Sequence, residues 1–282
     1  MTPSVDLRGV FAAVLTPFDA DLRPDAGKAI PYYRELLSNG CDGLNVLGTT
    51  GEAVSIGVED RLAFMETIAG ALPCERMMAG TGASALADAV RLTRAAIDLR
   101  FSAALVIPPF YYRDATDEGI VRFFDALFER VVPPERSVVL YNFPRMSGIT
   151  FHPDLVDRLI REFPGIICGI KDSSNTLDLE REIHRRRPDL AVFPGSEVLL
   201  ADARTEGFAG CISGSVCLWP QLAARVWRDG DSESFTRLVE FRQSLSGMPL
   251  IEAVRARVAE QHADPAWRRS LPPLASQTAG TS

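Results

Sequence analysis

Lysine is nearly absent from this chain. Of 30 basic residues in a sequence of 282, only Lys28 and Lys171 are lysines; the rest are arginines, which hold their proton in any protein setting. Amine chemistry is thereby confined to two side chains and the amino terminus. Histidine is scarce too: His152, His184 and His262 lie far apart and none belongs to a convincing ligand cluster, so no metal site is expected. Cysteine is limited to Cys41, Cys74, Cys168, Cys211 and Cys217. An odd number, widely spaced and mostly within apolar segments, speaks against a disulfide framework or a zinc knuckle and predicts free thiols in a reducing cytoplasm. Positive charge is outnumbered, with a formal net charge of -7, and aromatic residues make up 8%. That balance suggests neither a nucleic-acid partner nor an anionic membrane, and the local run Arg185, Arg186, Arg187 reads as the solvated end of a helix. No apolar run reaches the length of a membrane span, and the opening MTPSVDLRG lacks the basic and apolar regions of a signal peptide.

What the chain does have is 46% hydrophobic residues arranged in two alternating periods. Short apolar runs predict strands at 9–18, 43–47, 76–80, 103–107, 138–141, 166–170, 190–193 and 210–212. Helical patterns fall between them at 26–38, 57–69, 86–99, 117–131, 153–162, 177–186 and 197–204, with 218–227 after the last strand. Eight strands, each followed by a helix, match an α/β fold of the closed (β/α)8 TIM-barrel type. A doubly wound sheet is the alternative, but it stops nearer six strands and asks for a GxGxxG turn, which GTTG at 48–51 does not supply. Additional helices are predicted at 232–245 and 250–259. The expected organisation is a barrel over 1–228, a C-terminal helical extension over 229–264 and an irregular, partly disordered tail over 265–282.

The stretch GIICGIKDSSN, 165–175, places Lys171 at the end of an apolar strand. An ammonium drawn out of water gives up its proton more readily, and the free amine is the form that attacks a ketone to make an imine. The plainer alternative is a strand-end lysine that reaches solvent. In a barrel, chemistry sits at the carboxyl ends of the strands, so Gly48 to Glu52, Pro109 to Tyr112, Tyr141, Lys171, Gly195 to Glu197 and Ser213 to Ser215 converge on one mouth. Tyr141 ends the strand before that of Lys171 and can pass protons beside the imine; a rim tyrosine bonded to a backbone carbonyl is the other reading. Gly48, Thr49 and Thr50 offer approachable amides and hydroxyls that suit a carboxylate, although glycine and threonine also make simple turns. The run PPFYY exposes rings unless something covers them, so Tyr111 is a local lid or a residue offered to a neighbouring subunit.

Taken in order, GTTGE at 48–52, PFYY at 109–112, YNFP at 141–144, GIKDSS at 169–174 and GFAGCISG at 207–214 resemble the dihydrodipicolinate synthase and N-acetylneuraminate lyase family, the pyruvate-dependent class I aldolases on a TIM barrel, over about residues 8–274. The resemblance implies that Lys171 forms the Schiff base with pyruvate or with the pyruvyl part of a longer 2-oxo acid. It implies that Tyr141 is the proton-transfer phenol and that Thr49 and Thr50 hold the carboxylate and relay protons. Tyr111 would complete a hydroxyl relay across a dimer interface, in a homotetramer built as a dimer of dimers. The partners are then a small-molecule 2-oxo acid and an aldehyde; the lysine imine is the electron sink, and neither cofactor nor metal is called for.

Departures from the family pattern bear on the substrate. The synthases place an arginine two residues after the proline of the YNxP motif; here that position is Met146, and Arg145 precedes it, where it is expected to point elsewhere. Glu197 falls where the sialic-acid lyases hold sugar hydroxyls, with Ser196 in place of their aspartate and Ser213 nearby at the mouth. Cys217 stands in place of an asparagine. The expectation is a class I lyase or aldolase that makes or cleaves a 2-oxo acid from pyruvate and an aldehyde, with 2-oxo-3-deoxy sugar acids among the candidates. A 2-oxo acid dehydratase or a 4-hydroxy-tetrahydrodipicolinate synthase is the alternative. A disused barrel without activity would be marked by a Lys171 shielded from the mouth.

Overall fold

A computed structural model describes residues 7–274 of the chain. Eight strands, β1 (Gly9–Ala13), β2 (Gly43–Val46), β3 (Met77–Gly80), β4 (Ala103–Val106), β5 (Val138–Asn142), β6 (Ile167–Asp172), β7 (Ala191–Pro194) and β8 (Gly210–Ser213), run parallel in the order β7-β6-β5-β4-β3-β2-β1-β8. The ends of this ladder meet where the Ala209 amide donates to the Val192 carbonyl at 2.9 Å, which curls the sheet into the expected barrel. Around it lie α1 (Ala26–Ser38), α2 (Val58–Ala69), α3 (Leu86–Asp98), α4 (Asp117–Val131), α5 (Pro144–Ser147), α6 (Pro153–Glu162), α7 (Leu177–Arg186), α8 (Leu200–Glu206) and α9 (Pro220–Asp229), followed by α10 (Ser232–Ser244) and α11 (Leu250–Gln261). Three of the helix starts show why they form where they do. Asp25 accepts from the Lys28 amide ahead of α1, Thr116 accepts from the Gly119 amide ahead of α4, and α6 begins with Pro153 at its first turn.

Two apolar cores follow from the period of a strand, which sends successive side chains to opposite faces. Phe11, Ala13, Met78, Leu105, Val139, Phe193 and Ile212 point into the barrel, while Val10, Leu44, Val138, Leu140, Ile170 and Val192 pack outward under the helices. The predicted strand at 9–18 is shorter, ending at Ala13, and the one at 166–170 runs on through Lys171 and Asp172. The one-turn helix α5 was not foreseen, because YNFPRMSG reads locally as a loop. In the segment predicted to be irregular, Pro265–Arg268 forms a 3-10 turn that buries Trp267 against Tyr32, with ring centroids 4.7 Å apart. Of that predicted tail, 275–282 lies outside the described residues.

All five cysteines are free thiols, and burial pushes Cys168 and Cys217 up to about 12, far from reactive thiolates. Among the described residues, no helix is long and apolar enough to cross a membrane.

Candidate active site

The register between β5 and β6 decides the site. Val138 pairs with Ile167, but the next pair is Val139 with Gly169, so one extra residue is taken up in β6. Without that shift Tyr141 would face Ile170; with it, Tyr141 pairs with Lys171 and Asn142 with Asp172. Both Tyr141 and Lys171 then project into the barrel, and the Lys171 Nζ lies over the Tyr141 ring at 4.3 Å from its centroid. The phenol oxygen is 3.2 Å from Thr49 Oγ1. Lys171 is 4% exposed and opens on a cleft of about 1110 Å³ lined also by Thr49, Thr50, Tyr141, Ser196 and Gly214. The Lys171 amine is therefore not shielded from the mouth, and the disused-barrel alternative loses the feature that would have marked it.

The other lysine is held differently. Lys28 lies on α1 with its ammonium paired with Asp264, whose carboxyl is pulled below the ordinary carboxylate value mainly by the Lys28 hydrogen bond. Among the described residues no carboxylate pairs with Lys171 in this way.

Two close approaches shape the threonine loop. A Cβ on Gly48 would meet Asn45 Oδ1 at 2.5 Å, and one on Gly214 would meet Thr50 Oγ1 at 2.8 Å, so both positions need a bare backbone. Gly48 thus shapes the loop from behind, while Thr49 and Thr50 face the cleft.

Two other expectations, for Glu197 and Arg145, met a different geometry. Glu197 is fully buried: a 3-10 turn at Glu197–Leu199 directs it toward β8, where Ser215 Oγ donates to its Oε1 at 2.6 Å and Ser213 Oγ donates to its Oε2. Neither Glu197 nor Ser213 lines the cleft; Ser196 is the neighbour that does. Arg145 was expected to point away, but α5 turns both Arg145 and Met146 onto the cleft wall. Tyr111 does not line the cleft and is 78% exposed, packed edge-on to the equally exposed Tyr112 at 5.3 Å.

Several groups of consequence escaped sequence reasoning. Behind Lys171, on the outer face of β6, Asp172 accepts from Asn142 Nδ2 at 2.5 Å and from Ser174 Oγ at 2.6 Å. Glu180 on α7 is buried beside it; no donor reaches either of its oxygens, and burial, with the charge of Asp172, pushes its carboxyl up to about 9. Arg242 on α10 lines the cleft and donates to Ser215 Oγ at 3.2 Å. Only long-range packing brings these residues together, although an acidic residue in the helix after the lysine strand was a visible signal. Among the described residues there is no group of three or more His, Cys, Asp or Glu side chains that could hold a metal ion.

A family model, the dihydrodipicolinate synthetase family, matches residues 6–259. The chain belongs to that family. It is 37% identical over 221 residues to an uncharacterized DapA-like lyase of Chloroflexus aurantiacus, covering 78% of this chain and 74% of the relative. It is 34% identical over 230 residues to the 4-hydroxy-tetrahydrodipicolinate synthase of Halorhodospira halophila, with the same two coverages, 78% and 74%. Among solved structures, dihydrodipicolinate synthase from Agrobacterium tumefaciens superposes with a TM-score of 0.89 at 30% identity, over 96% of this chain and 94% of that one. YagE, a prophage protein of the same family from Escherichia coli K12 solved with pyruvate, superposes with a TM-score of 0.85 at 26% identity over the same shares, 96% and 94%. This dihydrodipicolinate synthetase family member is a pyruvate-using class I lyase or aldolase, and its chemistry runs through a lysine Schiff base.

Proposed function

We propose that Lys171 is the Schiff-base nucleophile and that the enzyme joins pyruvate to an aldehyde bearing an acidic group, as a 4-hydroxy-tetrahydrodipicolinate synthase does. The observation that carries this reading is the pairing of Tyr141 with Lys171 across β5 and β6 at the floor of the cleft, with Thr49 on the phenol. The Lys171 amine attacks C2 of pyruvate and water leaves as the imine forms; the iminium acidifies C3, whose proton leaves by way of Tyr141, and the C–H electron pair becomes the double bond of an enamine. The enamine carbon attacks the aldehyde, the new alkoxide takes a proton by way of Tyr141, and hydrolysis of the imine frees a 4-hydroxy-2-oxo acid. Thr49 and Thr50 hold the pyruvate carboxylate, and Gly48 shapes the turn that presents them.

An acidic aldehyde suits the rest of the cleft. Besides the Lys171 nucleophile, its charged lining residues are the arginines Arg145 and Arg242 and one acid, Glu252. Arg145 makes no hydrogen bond or ion pair among the described residues, and Arg242 is bonded to a serine and not to a carboxylate. These two arginines supply the clamp that Met146 cannot. The sugar-acid reading loses its acidic contact, because Glu197 is already occupied by Ser213 and Ser215. Tyr111, exposed in one subunit, is assigned to the relay of a neighbouring subunit in a homotetramer; full activity in a stable monomer would refute that role.

Borohydride added with pyruvate should trap one adduct per chain, mapped by peptide mass to Lys171. Lys171→Arg should abolish trapping while keeping the charge, since a guanidinium does not form this imine. An adduct on Lys28 would overturn the assignment. Tyr141→Phe should still bind pyruvate but turn over about 10²–10⁴-fold more slowly. Faster turnover of aspartate 4-semialdehyde than of glyceraldehyde supports the acidic substrate, and pyruvate release from a 2-oxo-3-deoxy sugar acid at a higher rate than either would overturn it.

A further inference from the structure

Arg255 has no part in the chemistry above, yet it is among the largest fully buried side chains of the described residues. It sits on α11 with Ala253, Val254, Ala256 and Val258, all buried, around it. Its guanidinium is fully engaged with three separate segments. Nε donates to Glu52 Oε1 at 2.6 Å, Nη2 donates to the Thr16 carbonyl at 2.8 Å, and Nη1 donates to the Trp267 carbonyl at 3.2 Å. The second oxygen of Glu52 accepts from the Leu271 amide at 2.8 Å. The Phe18 ring lies 5.1 Å from the guanidinium carbon.

Glu52 is the last residue of the loop that carries Thr49 and Thr50. It is held at φ 56, the left-handed region that a residue with a side chain occupies at a cost. Its amide donates to the Thr49 carbonyl at 3.0 Å, so the position of Glu52 sets the orientation of the Thr49–Thr50 peptides. The loop has little slack elsewhere, since a Cβ on Gly51 would meet Thr16 Oγ1 at 2.9 Å. The same helix reaches the substrate side: Leu250, Ile251 and Glu252, the first turn of α11, line the cleft one turn ahead of Arg255.

A buried ion pair adds little net stability over a well-packed apolar replacement; what it imposes is a register between the segments it joins. We propose that Arg255 is a positioning residue for the reaction: through Glu52 it holds the threonine turn against the Tyr141 phenol, which makes the C-terminal extension part of the active site. This rests on the proposed roles of Thr49 and Tyr141 and adds the element that fixes their geometry. A turn released by as little as about 1 Å costs on the order of 10²-fold in rate.

The test uses the full-length enzyme and two variants. Arg255→Lys keeps the charge but loses the fork, and the double replacement Glu52→Gln with Arg255→Met removes both charges and so leaves no lone buried ion. Each is purified as folded protein by its circular dichroism, then assayed for kcat and for the KM of pyruvate, alongside borohydride trapping at saturating pyruvate. The expected result is one trapped adduct per chain, a raised pyruvate KM, and kcat/KM lower by about 10²-fold in the double variant and by less in Arg255→Lys. A double variant that is folded, melts lower and keeps the wild-type KM and kcat would overturn the proposal, leaving Arg255 a merely structural residue. Failure to trap pyruvate in the wild-type enzyme would instead strike the Lys171 assignment.

Discussion

Two buried charge clusters flank the reactive floor of this barrel, and they solve one physical problem in opposite ways. Glu52 and Arg255 carry opposite charges, and Glu52 and the Arg255 guanidinium are held by several hydrogen bonds. Asp172 and Glu180 would carry like charges; Asp172 is hydrogen-bonded, whereas no donor reaches Glu180, whose carboxyl is pushed up to about 9. In the first cluster each charged group meets an opposite one. The second remains tolerable because one acid keeps its proton. A salt bridge fixes the loop before the site, and a protonated acid stands behind the lysine strand.

Breaking the first cluster should have the largest effect. Arg255→Ala strands the Glu52 carboxylate in the core, and loss of one partner of a buried pair costs about 3–5 kcal/mol, read from urea unfolding. If the double neutral replacement loses as much stability as Arg255→Ala, charge compensation is not what distinguishes this cluster.

The second cluster should show itself in pH. The Glu180 carboxyl lies above its ordinary 4.5, at about 9, so the folded chain holds a proton that the unfolded chain releases. Its contribution to stability is fully present below about pH 4.5 and fades as pH rises toward about 9. Melting temperatures followed by circular dichroism should therefore fall less steeply over that range in Glu180→Gln than in the wild type. Equal slopes would mean that Glu180 is ionised in the folded protein and that the two clusters do not differ as described.

Ser174→Ala gives the smallest effect. It removes one hydroxyl from Asp172 and should cost about 1 kcal/mol, with the loss greater at high pH if Glu180 is then charged.

Local patterning carried most of the fold. Alternating apolar strands and helices placed all eight barrel strands, with errors at their ends, and missed α5, whose single turn has no period to read. The candidate site was legible where chemistry confined the choice: with two lysines in the chain, one of them in an apolar strand, Lys171 and its neighbour Tyr141 stood out. Glu197 and Ser213 were legible as residues near the mouth but not as partners of each other, because which way a turn aims a side chain depends on what packs behind it.

The sequence by itself determined the alternation that makes a barrel and the scarcity of amines that singles out Lys171, since periodicity and side-chain chemistry are local properties. Tertiary structure alone decided that Tyr141 faces Lys171, because one extra residue in β6 resets the register. It also decided that Arg255 meets Glu52 across 203 residues of sequence. Such meetings depend on closure of the barrel and on burial, where a charge must find its counter-charge or surrender its proton.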